Sequence, residues 1–153
     1  MLSAEKNARL TMVGPGTPAG SMLRQYWHPI ALAAELDDKP RPVRVLGEDL
    51  VLYRGRSGEP HLVGQRCPHR GTSLAEGRVD GENLRCCYHG WLFDGAGQCQ
   101  EQPGERPGAS FAARVKIPAY AVQQRYGMIC AYLGAGTRPV VPPYDILART
   151  NGV

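Results

Sequence analysis

Four residues of metal-binding type form two short groups in the middle of the chain. Cys67 and His69 lie in the segment CPHRG, and Cys86 and His89 lie in the segment CCYHGW. Written as a pattern, they are C-x-H, sixteen intervening residues, and then C-x-x-H. Thiolates and imidazoles are common protein ligands of iron and zinc. The spacing therefore indicates a metal centre held by two loops, each of which supplies one cysteine and one histidine.

Two kinds of metal centre use two cysteines and two histidines. Two irons bridged by two sulfides need four terminal ligands, and in a Rieske centre two thiolates hold one iron while two imidazoles hold the other. Structural zinc sites usually combine C-x-x-C with H-x-x-x-H, so that each loop carries one residue type. The mixed loops favour a 2Fe–2S cluster held by Cys67, His69, Cys86 and His89. A zinc-held interaction module is the non-redox alternative.

The remaining cysteines need a separate interpretation. Five cysteines is an odd number, which excludes a fully paired disulfide framework. Cys87 adjoins the second group, but only Cys86 completes C-x-x-H with His89, so we interpret Cys87 as a neighbour that is not a ligand. Cys99 and Cys130 fall in β-like runs and are interpreted as small buried hydrophobic residues.

Composition limits the classes of function that the chain can have. Of its 153 residues, 42% are apolar and 21% are charged, which is ordinary for a globular protein. The net charge of +4 is spread along the chain, whereas nucleic-acid binding would need a clustered basic face. No apolar run approaches the roughly 20 residues of a membrane span, and the first residues do not resemble a secretory signal. We therefore expect a cytoplasmic protein that binds neither nucleic acid nor membrane.

The elements that position the four residues are expected to be short strands. The 19 glycines and 13 prolines favour many turns, and Gly71 and Gly90 allow tight turns directly after the two groups. Residues 3–26 form a polar arm with a short helix around Ser21–Tyr26. The fold class is all-β, a small sandwich or barrel. The expected strands are Pro29–Ala34, Val43–Leu46, Leu50–Tyr53 (after a turn at Gly47–Asp49), His61–Val63, Trp91–Phe93, Gln98–Glu101, Ala113–Ile117, Ala121–Gln124 and Met128–Leu133.

The segment that carries the two groups resembles a known family. The run RCPHRGTSLAEGRVDGENLRCCYHGWLFDGAGQCQEQPGE is similar to the Rieske domain of bacterial ring-hydroxylating oxygenases. The flanks GPGTPAGSMLRQYWHPIALAAEL and ICAYLGAGTRPVVPP resemble the phthalate dioxygenase and vanillate demethylase branch. The resemblance implies a β-rich domain with the cluster at the tip of two loops and ligands at Cys67, His69, Cys86 and His89. It divides the chain into an N-terminal arm (1–26), a Rieske domain (27–138) and a Pro-rich linker (139–153) toward a catalytic domain that this chain does not contain.

The same resemblance implies a function in electron transfer. The cluster would receive single electrons from a reductase or ferredoxin and deliver them to a mononuclear-iron domain, in the same or a neighbouring subunit. That iron needs a 2-His-1-carboxylate triad, and the sequence contains no histidine after His89, so we do not expect this chain to be catalytic by itself. A free-standing Rieske ferredoxin is the alternative. Homo-oligomerisation is compatible with either.

Two further expectations concern the surroundings of the cluster. Arg66, Arg70, Arg78 and Arg85 bracket the loops, and they either steer an acidic electron donor or pair with Glu76, Asp80 and Glu82. Respiratory Rieske proteins carry an additional disulfide between their loops and a serine after the second loop, where this chain has Thr72 and Trp91. Because fewer hydrogen bonds would then reach the sulfides, we expect a low potential within the roughly −150 to +300 mV range of Rieske centres.

Overall fold

The computed structural model describes residues 1–106 and 111–145. These residues form two helices and ten strands, with single 3-10 turns at Ala33–Glu35, Leu74–Glu76 and Ala112–Arg114. The helices are α1 (Ala4–Thr11) and α2 (Pro18–Leu23). The strands are β1 (Trp27–Leu32), β2 (Arg41–Val45), β3 (Glu48–Arg54), β4 (Pro60–Gly64), β5 (Arg78–Asp80), β6 (Asn83–Arg85), β7 (Leu92–Phe93), β8 (Cys99–Glu101), β9 (Ala119–Arg125) and β10 (Met128–Tyr132).

Six strands form the larger sheet, in the order β1-β10-β9-β4-β3-β2, with every neighbouring pair antiparallel. Successive side chains of a strand point to opposite faces, and β3 uses both faces. Leu50 and Leu52 enter one hydrophobic core, which the larger sheet encloses by curling on itself. Val51 and Tyr53 enter a second core on the other face. The fold is therefore all-β, as the sequence predicts, with a nearly closed sheet.

The smaller sheet has the order β5-β6-β7-β8 and is also antiparallel. Its buried residues Leu84 and Phe93 belong to the second core, together with Val51 and Tyr53 from the larger sheet. The segment after β4 and the segment between β6 and β7 both end at this core, because Cys67 and Cys86 are members of it. The two sheets thus bring the two cysteine–histidine segments together.

Several local expectations need correction. The predicted strand Ala113–Ile117 is wrong: Ala112–Arg114 forms a 3-10 turn, and only Lys116 makes a β-bridge, to Gln98. The turn between β2 and β3 consists of Leu46 and Gly47, both with positive φ, rather than Gly47–Asp49. The β5–β6 hairpin was not expected, since strands of three residues are too short for alternation to show.

The N-terminal arm contains more helix than predicted. Helix α2 spans Pro18–Leu23 rather than Ser21–Tyr26, because Thr17 caps it and Pro18 occupies its first turn. Helix α1 was missed; Ser3 caps it, but it is short and polar, and none of its residues is buried. Within the described residues, neither helix has the length and apolarity needed to cross a bilayer.

Candidate metal centre

The two cysteine–histidine segments adopt the same backbone turn. In each, the cysteine N–H donates to the carbonyl five residues later, and the glycine N–H four residues later donates back to the cysteine carbonyl. These distances are 2.9 and 2.8 Å around Cys67 and 2.9 and 3.1 Å around Cys86. Gly71 and Gly90 both have a φ of 72°, a left-handed conformation that glycine adopts without a steric penalty. We call the two segments loop 1 (residues 67–71) and loop 2 (residues 86–90).

The two thiols meet in the interior. Cys67 and Cys86 are 2% and 3% exposed and belong to one hydrophobic cluster. Burial raises the pKa of the Cys67 thiol, and the neighbouring Cys86 thiol raises it further. The backbone N–H groups of His69 and Arg70 hydrogen-bond to the Cys67 sulfur and act in the opposite direction. Because a thiol must lose its proton to bind a metal, loading this pair releases protons.

The two imidazoles meet closer to solvent. The ring centroids of His69 and His89 are 4.6 Å apart at an interplanar angle of 61°, and His69 is half-buried whereas His89 is exposed. Desolvation lowers the pKa of His69, and the adjacent His89 lowers it further. Both influences favour the neutral imidazole, which is the form that binds metal.

Aromatic rings lie beside both imidazoles. Trp91, directly after loop 2, stacks on the His69 ring of loop 1 with centroids 4.7 Å apart and planes at 3°. Tyr88 lies against His89, with its ring centroid at 3.8 Å. Trp91 is itself buried in the second core. It therefore joins the loops and shields one side of the pair from water, a contact that links residues 22 positions apart and that the sequence pattern does not indicate.

The four side chains form two pairs. The two thiols meet in the protein interior, and the two imidazoles meet closer to solvent. Among residues 1–106 and 111–145, no three histidine, cysteine, aspartate or glutamate side chains converge as the ligands of a single ion. Two pairs of unlike ligands suit two metals of unlike surroundings, which is the arrangement that a Rieske-type 2Fe–2S cluster requires. The donor set and its separation into pairs fit that group.

Arg85 is the most extensively bonded side chain next to the loops. Its Nε donates to Asp80 (2.7 Å) and its Nη2 donates to Glu101 (2.9 Å). Its Nη1 donates to the carbonyl oxygen of Gly90 (2.9 Å). The expectation that the arginines around the loops pair with nearby carboxylates is confirmed for one pair, Arg85 with Asp80. Glu101 was not foreseen, because it reaches Arg85 only across the register of the smaller sheet.

The other cysteines lie as the sequence suggests, and the two remaining histidines contact other parts of the fold. Cys99 and Cys130 are 3% and 6% exposed on β8 and β10, whereas Cys87 is exposed. His28 bonds the carbonyl oxygen of Leu23 through Nε2 at 2.8 Å. His61 lies 3.7 Å from Glu82, and its ring packs at a tilt against the ring of Tyr53. None of these residues is drawn into the pairs formed by the two loops.

Comparison with known proteins places the chain in a class. The family model of the Rieske [2Fe-2S] domain matches residues 26–121. The chain belongs to the Rieske [2Fe-2S] domain family, and the cofactor of this family is a Rieske-type 2Fe–2S cluster.

Its relatives are subunits of oxygenases. The chain is 50% identical over 140 residues to phenoxybenzoate dioxygenase subunit alpha of Ectopseudomonas oleovorans, covering 91% of the chain and 34% of that subunit. It is 47% identical over 156 residues to the 5,5'-dehydrodivanillate O-demethylase oxygenase subunit of Sphingobium sp., covering 99% and 37%. A crystal structure of dicamba monooxygenase bound to dicamba superposes with a TM-score of 0.72 at 30% identity, covering 84% of the chain and 39% of that structure. The chain thus spans about a third of the curated relatives that it matches, and the resemblance to ring-hydroxylating oxygenases is confirmed.

Proposed function

We propose that this chain is the electron-transfer portion of a ring-hydroxylating or demethylating oxygenase, and that Cys67, His69, Cys86 and His89 hold its 2Fe–2S cluster. The separation of a buried thiol pair from an outer imidazole pair carries the proposal. When bound, the cluster supplies a one-electron carrier. The chain's own residues bind it, orient it and limit its contact with water.

Each pair has a distinct part in this function. Cys67 and Cys86 anchor the inner side of the site within a hydrophobic core, where a low local polarity strengthens the bond of a thiolate to a metal. His69 and His89 present the outer side to solvent, where a redox partner can approach. Trp91 holds the His69 ring by stacking and keeps water from one face of it.

The electron-transfer partners and the cellular compartment follow from the proposed assignment. An electron-donating reductase or ferredoxin would reduce the site, and a mononuclear-iron domain, in the same or a neighbouring subunit, would receive the electron. Both relatives named above match more than nine-tenths of this chain and are oxygenase subunits, which favours this assignment over a free-standing ferredoxin. The cytoplasm, where thiols stay reduced, is the proposed compartment.

Residues 27–138 form the proposed Rieske unit, but both of its flanks pack against it. Arg24, at the end of α2, forms an ion pair with Glu48 on β3. On the other side, the Trp27 Nε1 donates to the carbonyl oxygen of Pro139 (2.7 Å), and Val141 is 5% exposed. The first part of the proposed linker is therefore docked on β1, while residues 146–153 lie outside the described residues.

Two adjacent cysteines provide the test of the ligand set. We expect Cys86→Ser to abolish or greatly weaken the visible absorption and the paramagnetic signal of the reduced protein, because a serine hydroxyl is a much poorer iron ligand than a thiolate. Cys87→Ser is the matched control, since Cys87 is exposed one residue away, and it should keep both properties together with iron and acid-labile sulfide in equal amounts. Loss of the signal in Cys87→Ser but not in Cys86→Ser would refute the assignment, and a colourless wild-type protein containing zinc would refute the function.

A further inference from the structure

Arginine precedes the cysteine of both loops and bonds to the end of the same loop. Arg66 Nη1 donates to the carbonyl oxygen of Gly71 at 3.2 Å. Arg85 Nη1 donates to the carbonyl oxygen of Gly90 at 2.9 Å. In each case the arginine stands one residue before the cysteine and bonds to the carbonyl of the glycine four residues after it. The guanidinium thus closes the turn from outside. The bond is thus a repeated feature of the site, although the residues within the two loops differ.

The two arginines differ in how firmly they are held. Arg66 is exposed, whereas the Arg85 side chain is only 15% exposed and donates from Nε, Nη1 and Nη2 to three separate acceptors. Two of these acceptors are the carboxylates of Asp80 on β5 and Glu101 on β8. A planar guanidinium bonded at three nitrogens has one orientation available to it, which an ammonium group would not have.

The anchored guanidinium bonds to the residue that links the two parts of the imidazole pair. Gly90 stands between His89, one member of the pair, and Trp91, which stacks on the other member, His69. When the Gly90 carbonyl is fixed, the peptide plane between Gly90 and Trp91 is fixed with it. A change at this plane would move the indole ring and the imidazole on either side of it.

We propose that Arg85 is the positioning residue of loop 2. Its guanidinium, held by Asp80 and Glu101, fixes the Gly90 carbonyl. The fixed carbonyl in turn sets the geometry of His89 and Trp91 at the metal centre. This inference rests on the proposed function, since it concerns the ligand side chains of that site. It assigns Arg85 to the geometry of the site rather than to the attraction of an acidic donor. Its guanidinium is already paired with two carboxylates.

The smaller sheet offers a matched control for charge. Arg78 on β5 lies directly opposite Arg85 on β6 in the strand register and is exposed. Arg78→Gln and Arg85→Gln therefore remove the same charge from neighbouring positions, but only the second removes the bond to Gly90. Arg85→Lys keeps the charge and loses the planar arrangement of donors.

The experiment uses the cluster-loaded protein and two readouts, the rate of iron release to a chelator and the paramagnetic spectrum of the reduced state. We expect Arg85→Gln to release iron about tenfold faster than wild type or more and to change the shape of the spectrum. Arg85→Lys should be intermediate, and Arg78→Gln should match wild type. The inference is overturned if Arg78→Gln and Arg85→Gln behave alike, or if Arg85→Lys is identical to wild type.

Two contingencies keep the outcome decisive. If Arg85→Gln does not fold, Arg85→Lys decides alone, because a wild-type spectrum and release rate in that variant would show that positive charge suffices. If wild-type protein itself lacks the paramagnetic signal, the proposed function fails, and this result is distinct from a normal wild-type signal that the Arg85 variants leave unchanged.

Discussion

The glycines that end the two loops allow a prediction with an internal comparison. Gly71 and Gly90 have the same φ of 72°, but their surroundings differ. A Cβ atom built on Gly71 meets no heavy atom within 4 Å, whereas one built on Gly90 lies 3.2 Å from Cγ of Pro103. Substitution of each glycine by alanine therefore imposes the same backbone strain, and only the second adds a steric conflict.

The magnitudes follow from these two contributions. A left-handed conformation costs an L-residue about 1–2 kcal/mol, and the reduced entropy of the unfolded chain returns about 0.4–1 kcal/mol of this. Gly71→Ala should therefore lower the free energy of unfolding by about 1 kcal/mol. Gly90→Ala should lower it by about 2–3 kcal/mol, because a crowded contact adds about 1 kcal/mol or more. For a chain of this size, each kcal/mol corresponds to a shift in Tm of about 2–4 °C.

The assay is thermal unfolding of the cluster-loaded proteins, followed by circular dichroism at one scan rate. We expect Gly71→Ala to lower the apparent Tm by about 3 °C and Gly90→Ala to lower it by about two to three times as much. Equal shifts would show that Pro103 yields without cost. An unchanged Tm in Gly71→Ala would contradict the left-handed turn on which the description of both loops depends.

Three other predictions concern the barrel and the redox site. Tyr126 and Gly127 form the two-residue turn between β9 and β10, and Tyr126 has a φ of 52°. Tyr126→Asn should therefore raise the apparent Tm by about 2–4 °C, since asparagine accepts this conformation readily; a lower Tm would contradict the turn. The Tyr120 hydroxyl donates to Glu48 at 2.7 Å, and burial followed by this contact raises its pKa from 10.0 to about 12. The stability that the Tyr120 hydroxyl contributes should therefore be complete below pH 10.0 and lost as the pH rises toward about 12. The difference in Tm between wild type and Tyr120→Phe should narrow over that interval. A constant difference would count against the hydrogen bond. Voltammetry of the loaded protein should give a midpoint potential toward the low end of the roughly −150 to +300 mV Rieske range, and a value well above zero would contradict this.

The structure assigns one of the two roles considered for the basic residues to Arg85. The Arg85 guanidinium is occupied by two carboxylates and a carbonyl, so it contributes little to long-range attraction of a partner. Arg70 is exposed and lies next to His69 in loop 1. Any electrostatic guidance of a donor would depend on exposed positions such as this one, rather than on the arginines as a group.

The amino-acid sequence by itself determined the features of the site that depend on neighbouring residues. Each group, C-x-H or C-x-x-H with the glycine that follows it, occupies five residues. The turn that each adopts is closed by hydrogen bonds among these residues and the one that comes next. Local spacing and a residue that accepts positive φ are enough to specify such a turn. The same holds for the all-β class, which follows from many short apolar runs divided by glycine and proline.

Only the tertiary structure decided which side chains meet. The contact of Cys67 with Cys86, the stacking of Trp91 on His69 and the bond of Arg85 to Glu101 all join separate segments. The bond of Arg85 to Glu101 depends on the register of the strands β6 to β8. The two contacts between the loops depend on the packing of the smaller sheet against the larger one in their shared core, which no single segment specifies. The predicted strand Ala113–Ile117 failed for a related reason. Its first residues turn as the 3-10 helix Ala112–Arg114, and only Val115–Ile117 pairs with the neighbouring segment Gly97–Cys99, too briefly to form a strand.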